Sequence, residues 1–268
     1  MKFRLKKKYF FWALLILFVM YLFWGPLFPW NSVKPGYKKI KSSKATIFIS
    51  GFDKDRDRVA YNLDKIIREE EVFHGLEFKK NFRIIILGKE SNMKRYLPWI
   101  KGSGYSVSLG FLNTIYIGPN ARISPFGTEV FLKHEMSHLL IHQNTSSGRN
   151  NMEMLRQGWL TEGLASYFGG PHYYDKEHFV ELWTKKGLQF NSLYMGNPHE
   201  MDRNTIRLKY TYYRFLIEFL IETYGLDKLQ SYVKNYSENP ENYEEIFLGI
   251  YNNHLNDLLR DFNTYMQS

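Results

Sequence analysis

The distribution of hydrophobic and polar positions divides the chain into an amino-terminal part with strands and a carboxy-terminal part built of helices. Runs rich in β-branched and aromatic residues predict strands at 45–50, 81–87, 104–110 and 113–118, the last two forming a hairpin. Apolar residues at helical spacing predict a helix over 55–71, and nearly all of the chain after residue 128 has helical spacing. Strands followed by helices are typical of an α+β fold, which we therefore predict.

An uninterrupted apolar run extends from Tyr9 to Trp24, directly after five basic residues. With residues 25–30 it reaches about 22 residues, close to the ~20 that an apolar helix needs to cross a bilayer. Tyr9, Trp24 and Trp30 would then lie near the interfaces as aromatic anchors. Bulky side chains occupy the positions that a signal-peptide cleavage site needs, so a retained signal anchor is favoured over a cleaved signal peptide.

These features predict four segments, which are a basic tail at 1–8, a transmembrane signal anchor at 9–30, a basic linker at 31–46 and a folded domain at 47–268. Five basic residues precede the span and five follow it, namely Lys34, Lys38, Lys39, Lys41 and Lys44. Because the first cluster directly abuts the apolar run, we expect the tail inside and the domain on the extracytoplasmic side. The linker lysines are either solvated or in contact with anionic headgroups, and the pattern favours solvation.

The net positive charge of the chain is confined to the amino-terminal segments. Of 36 basic residues, ten lie in the first 46 positions, where there is no acidic residue; 26 basic and 27 acidic residues remain over 47–268. A nearly neutral domain is not expected to bind nucleic acid. The chain has no cysteine, which excludes disulfides.

The sequence His-Glu-Met-Ser-His at 134–138 lies in a strongly apolar helical segment. Residues four apart on a helix share one face, so His134 and His138 can direct their imidazoles at one point. Glu162 follows 24 residues later in a second predicted helix. Two imidazoles and a carboxylate form a three-ligand zinc site with one position left for water. The site could also be a polar helix face, but burial of such groups is costly unless they are paired or bound to a metal.

Glu135 is about 100° around the helix from His134, so it borders the predicted site without having to bind the ion. There it can act as the general base that takes a proton from zinc-bound water. His142 is one helical turn beyond His138, so it is too far away to bind the same ion as His134 and His138. A histidine that lies at the helix end or makes a hydrogen bond is the favoured interpretation.

At these motifs the chain resembles the gluzincin metallopeptidases, whose ligands are His-Glu-x-x-His and a downstream glutamate. The run Trp-Leu-Thr-Glu-Gly-Leu-Ala-Ser-Tyr at 159–167 is similar to the glutamate helix of the alanyl-aminopeptidase family and of small bacterial peptidase MA-like domains. The resemblance covers roughly 110–232 and includes a helix at 210–225 that opens with a tyrosine and closes with Tyr-Gly.

The resemblance implies a zincin-like α+β domain that binds Zn²⁺ through His134, His138 and Glu162. It also implies that Glu135 is the base, that Tyr210 donates a hydrogen bond to the oxyanion, and that an edge strand at 114–118 pairs with extended substrate. Two features of relatives are missing. There is no Gly-x-Met-Glu-Asn exopeptidase motif, and Ser166 replaces the acidic residue that supports the ligands of thermolysin-like enzymes.

Two functions of different class follow. The first is a membrane-anchored zinc metallopeptidase that hydrolyses peptide or protein substrates. The alternative is an inactive gluzincin-like module that binds a peptide or an envelope partner, but such a module has no need for Glu135. The pattern predicts neither the substrate nor the oligomeric state.

Overall fold

The computed structural model describes residues 7–25, 27–28, 31, 33–50, 54–88, 93–98, 105–145, 158–186 and 202–267, without the side chains of 7–8, 24 and 54–57. The strands are β1 (Tyr37–Lys41), β2 (Ala45–Ser50), β3 (Phe82–Ile86), β4 (Ser106–Leu109) and β5 (Thr114–Ile117). The helices are α1 (Lys7–Trp24), α2 (Lys54–His74), α3 (Met93–Tyr96), α4 (Pro119–Ile123), α5 (Gly127–Asn144), α6 (Gly158–Phe168), α7 (Lys176–Lys185), α8 (Arg203–Tyr224), α9 (Leu226–Glu238), α10 (Tyr243–Tyr251) and α11 (Leu255–Gln267). This is a mixed α+β architecture that is mostly helical, as predicted.

The strands form one sheet in the order β1-β2-β3-β5-β4. The central strands β2, β3 and β5 are parallel, and β1 and β4 are antiparallel strands at the two edges. The predicted hairpin is confirmed, because β4 pairs with β5 from Ser106–Ile117 to Leu109–Thr114 across a short turn at Gly110–Leu112. Strand β4 is therefore free along its outer edge among the described strands. The prediction of an edge strand at 114–118 is wrong, because β5 pairs with β3 on one side and with β4 on the other.

The main core lies between one face of the sheet and the helices. Helix α2 turns Val59, Leu63, Ile66 and Ile67 into it, all of them at most 2% exposed. Helix α5 runs through its centre and packs against β4, β5, α2, α6 and α9. Helix α6 packs most extensively against α8. The helix that carries the His-Glu-x-x-His motif is thus held on several sides by other elements.

A smaller core covers the opposite face of the sheet. Phe28 is 2% exposed there, and its ring centroid lies 4.7 Å from that of Tyr96 and 5.6 Å from that of Tyr37. The Lys34 ammonium group donates to the carbonyl oxygens of Phe28 (2.6 Å) and Asn31 (2.8 Å) and lies 3.9 Å from the centre of the Phe28 ring. This chain segment is therefore docked on the sheet.

The basic linker predicted at 31–46 needs correction. It contains β1, which pairs with β2 along its whole length, so the folded domain begins before residue 47. Lys34 is 5% exposed rather than solvated, and burial together with the charge of Arg83 lowers its pKa to about 7. The strand was missed because Tyr-Lys-Lys-Ile-Lys has few β-branched residues and three lysines.

The amino-terminal helix is shorter than the segment predicted at 9–30. It ends at Trp24, and the turn after Gly25 brings Phe28 into the smaller core. Its side chains from Tyr9 to Tyr21 are mostly exposed apolar groups. Within the described part of the chain, no helix combines the length and the apolar character that crossing a membrane requires. Trp30, one of the predicted anchors, lies outside the described residues.

Candidate metal centre

Helix α5 brings His134 and His138 together on one face. The two Nε2 atoms are 3.2 Å apart, and the rings are nearly perpendicular, with centroids 4.9 Å apart. This arrangement follows from the four-residue spacing, which places the second imidazole one turn above the first.

Glu162 reaches the same point from α6. Its Oε2 atom lies 3.4 Å from each of the two Nε2 atoms, and this buried oxygen accepts no hydrogen bond from the described residues. A tetrahedral ion with ligand distances of about 2.0–2.1 Å separates its ligand atoms by about 3.3 Å. The three observed separations match that value, so these residues can hold a metal ion of zinc's size and geometry.

A hydrogen bond fixes the orientation of the first ligand. The His134 Nδ1 atom lies 3.0 Å from the carbonyl oxygen of Gly170, just beyond the end of α6. Since a carbonyl only accepts, Nδ1 carries the proton and Nε2 keeps its lone pair for a metal. In this structure the partner of His134 Nδ1 is a backbone carbonyl and not the side chain of Ser166.

The charges of the centre favour a cation. Burial opposes ionisation of His138, but the nearby carboxylates of Glu162 and Glu135 outweigh it and raise the pKa of His138 to about 9. Burial likewise opposes the Glu162 carboxylate, but the two histidines hold its pKa well below its usual value. A metal ion at this point would take the place of the proton that these groups compete for.

Glu135 lies beside the three ligands and is not one of the converging group. It is 7% exposed, and its Oε1 atom accepts a 2.8 Å hydrogen bond from the Ser106 hydroxyl on β4. Ser106 was not identified from the sequence, because a serine in a predicted strand gives no indication of the carboxylate that it will face. Its bond links the edge strand to the predicted general base.

Tyr210 comes to the site from α8. Its ring centroid is 6.1 Å from that of His134. The negative charge of Glu162, burial and the charge of Glu135 together raise the pKa of Tyr210 well above its usual value. The hydroxyl therefore keeps its proton at neutral pH and is available as a donor.

Close packing of α6 on α8 places Glu162 and Tyr210 side by side. A Cβ atom on Gly163 would lie 2.8 Å from a side-chain atom of Ile217 and 2.9 Å from the Tyr213 carbonyl oxygen. Only glycine fits this approach without a shift of either helix. This gives a physical reason for the glycine that follows Glu162 in the sequence.

The site opens into a cavity of about 450 Å³. Its walls come from the edge strand and its turn, α5, α6 and α8, through Ser106, Val107, Ser108, Gly110, Phe111, His134, Glu135, His138, Ile141, His142, Thr161, Glu162 and Tyr210. All five residues that were predicted as ligands or catalytic groups are in this set. His142 lines the cavity one turn from His138 and is not part of the converging ligand group.

A second buried polar cluster lies behind α5, and the sequence analysis missed it. The Ser137 hydroxyl donates to Glu70 Oε2 (3.2 Å), and the His74 Nδ1–H donates to the Glu70 carbonyl oxygen (2.9 Å). Burial raises the pKa of Glu70 well above its usual value and lowers that of His74 to about 4. The sequence did contain one signal for this cluster. Glu70 is an acidic residue on the same apolar face of α2 as Ile66 and Ile67.

Comparison with known protein families agrees with this geometry. A sequence model described as the peptidase MA superfamily matches residues 63–268, a region that contains all the site residues described above. A search of curated proteins returned no match.

Proposed function

The chain belongs to the peptidase MA superfamily, and from this premise we propose that it is a membrane-anchored zinc metallopeptidase that hydrolyses peptide bonds in peptide or protein substrates. The family indicates a metallopeptidase-like domain. We propose in addition that the domain requires zinc, that it turns over its substrate and that it is anchored to a membrane.

One observation carries the zinc assignment. The Nε2 atoms of His134 and His138 and the Oε2 atom of Glu162 are separated by 3.2–3.4 Å. Nitrogen and carboxylate oxygen ligands in a set of three are typical of catalytic zinc, which retains an open position. The ion, when bound, supplies Lewis acidity that activates water and polarises a carbonyl group.

The protein groups around this point have distinct proposed roles. Glu135 accepts a proton from the attacking water, and the Ser106 hydroxyl holds one of its two oxygens so that the other remains available. Tyr210, which retains its proton, donates a hydrogen bond to the carbonyl oxygen as negative charge develops there. Edge strand β4 offers backbone groups to an extended substrate next to these side chains.

Attachment to a membrane is proposed for the amino-terminal segment, with the domain on the extracytoplasmic side. What supports it is the apolar surface of α1, where Phe10, Phe11 and Ile16 are 60% exposed or more. Basic residues immediately precede this helix in the sequence.

The function is tested by incubating the purified full-length chain with a mixed peptide library and mapping the products by mass spectrometry. Glu135→Gln removes the base and leaves the three ligands, so it is expected to keep its zinc and to lose at least about 10²-fold in hydrolysis. Equal cleavage by the variant would show that the zinc-hydrolase mechanism is wrong. A wild type that binds zinc and peptides yet cleaves nothing would be an inactive binding module.

A further inference from the structure

One end of the cavity extends beyond the candidate ligands along the last turns of α5. Strand β4 follows α5 in this direction. The Ser106 hydroxyl bonds Glu135 beside the ligands. Further along both elements, Gly110 lies so close to His142 that a Cβ atom on the glycine would overlap the imidazole ring. His142 is one helical turn past His138, a rise of about 6 Å. The cavity therefore continues past the candidate metal centre over about the length of one large side chain.

The part of the cavity between Phe111, Ile141 and His142 is called here the apolar end. Phe111 comes from the turn between β4 and β5, and Ile141 comes from α5. Among the described residues that line the cavity there is no lysine or arginine, and the only carboxylates are those of Glu135 and Glu162 at the metal centre. A charged substrate group would lose its hydration at the apolar end without gaining a counter-charge there, whereas an apolar group is favoured by leaving water.

Phe111 is 68% exposed although it is a large apolar side chain. A single exposed apolar residue is ordinary on a protein surface and needs no functional explanation. Ile123, which is 74% exposed on α4 and does not line the cavity, is such a residue. Phe111 differs from it in position, because its ring forms one wall of the cavity that contains the candidate metal centre. A substrate bound in the cavity would cover part of this exposed ring.

The turn that carries Phe111 is held in place by hydrogen bonds. Asn113 has the left-handed conformation (φ 46°), and its backbone N–H donates to the carbonyl oxygen of Gly110 (2.9 Å). The Gln143 side-chain amide, on α5 directly after His142, donates to the Asn113 side-chain oxygen (2.9 Å). This wall is therefore tied to the helix that carries two of the candidate ligands. A wall that is already ordered reduces the cost of ordering when a substrate binds.

We infer that the apolar end binds a large apolar side chain of the substrate residue next to the scissile bond, and that Phe111 is a specificity-determining residue. An extended peptide paired with the free edge of β4 directs alternate side chains towards α5. The side chain nearest the candidate metal centre on that side would then lie between Phe111 and Ile141. This inference rests on the proposed peptidase function, to which it adds the class of substrate.

The test measures how the purified full-length chain cleaves peptides that differ in one residue, X, within an alanine-rich frame. A single methylene group in an apolar pocket changes kcat/KM by roughly 10–200-fold. For the wild type we therefore expect kcat/KM with Phe or Leu as X to exceed that with Ala by at least about tenfold. Peptides with Glu or Lys as X should be cleaved no better than the Ala peptide. Phe111→Ala should reduce the preference for Phe over Ala several-fold, and Phe111→Leu should retain most of it.

Ile123→Ala is the matched control, because it removes an exposed apolar side chain outside the cavity. It should leave the preference for Phe over Ala unchanged, and zinc content should be equal in all the variants. A wild type that cleaves peptides without preferring an apolar X would overturn the inference. A Phe111→Ala variant that keeps the full preference of the wild type would overturn it as well.

A wild type that cleaves none of the peptides would contradict the proposed function, and the apolar end is then tested by calorimetric binding of the same peptides. Tighter binding of the Phe peptide than of the Ala peptide, with loss of the difference in Phe111→Ala, would support the apolar end as a binding site. Equal binding of the two peptides by the wild type would overturn it.

Discussion

At the scale of single residues, the proposed chemistry depends on which groups keep their protons. The carboxylates around Tyr210 oppose its ionisation, so the hydroxyl is a donor over the neutral pH range. Glu135 is held by Ser106 and lies outside the ligand group, which suits a base rather than a ligand.

Tyr210→Phe tests the donor role. The ring should keep its place beside His134 while the hydroxyl is lost, and loss of one oxyanion donor is expected to lower kcat on the order of 10²–10³-fold. Zinc content should not change. Steady-state kinetics would be compared with Tyr224→Phe, at the far end of the same helix. An unchanged kcat for Tyr210→Phe would show that Tyr210 has only a packing role.

Glu70→Gln tests the protonation of the buried cluster. Burial raises the folded-state pKa of Glu70 above the unfolded value of 4.5, so the folded protein holds a proton that the unfolded chain releases. Stability should therefore fall as pH rises from about 4.5 to the folded pKa, by up to about 1.4 kcal/mol per pH unit. Glutamine mimics the neutral acid and should remove this slope.

Urea denaturation of both proteins between pH 4.5 and 9 measures the difference in the free energy of unfolding. As pH rises, the free energy of unfolding of Glu70→Gln should increase relative to that of the wild type. Parallel stability curves would show that Glu70 is ionised in the folded protein.

At the scale of elements, the sequence predicted those with clear periodicity. The central strands were found because they are rich in β-branched and aromatic residues, and the hairpin because apolar and polar residues alternate along it. Helices α2 and α5 were found because their apolar residues recur at helical spacing. The candidate metal ligands were predictable because two of them lie four residues apart on a single helix. Contacts between elements that are distant in sequence, such as Ser106 with Glu135 or Ser137 with Glu70, depend on tertiary packing that no local pattern encodes.

Packing between α6 and α8 is expected to control the position of Glu162. In Gly163→Ala the added methyl group meets Ile217 and the Tyr213 carbonyl, so the helices must separate, at a cost of about 1–3 kcal/mol. We expect weaker zinc binding in a competition titration with a chromophoric chelator. Gly158→Ala, on the same helix with no atom within 4 Å of the added methyl, should bind zinc like the wild type. Equal affinity in all three proteins would mean that this contact does not set the ligand position.

At the scale of the whole molecule, the described structure joins an apolar amino-terminal helix to a domain with a candidate metal centre. We predict that full-length protein stays in the membrane fraction at high salt, because apolar contact is not screened by ions. Protease added to intact cells should degrade the domain if it lies on the outer side. Protection of the domain until the membrane is permeabilised would reverse the orientation.

The central claim is that His134, His138 and Glu162 bind one catalytic zinc ion. Zinc content measured by plasma mass spectrometry on the chain purified without chelator tests it most directly. The expected result is about one zinc per chain in the wild type and in Glu135→Gln, and loss of most of it in His138→Ala, which lacks one of three protein ligands. A wild type without zinc at neutral pH, or a His138→Ala variant that keeps its full complement, would contradict the account.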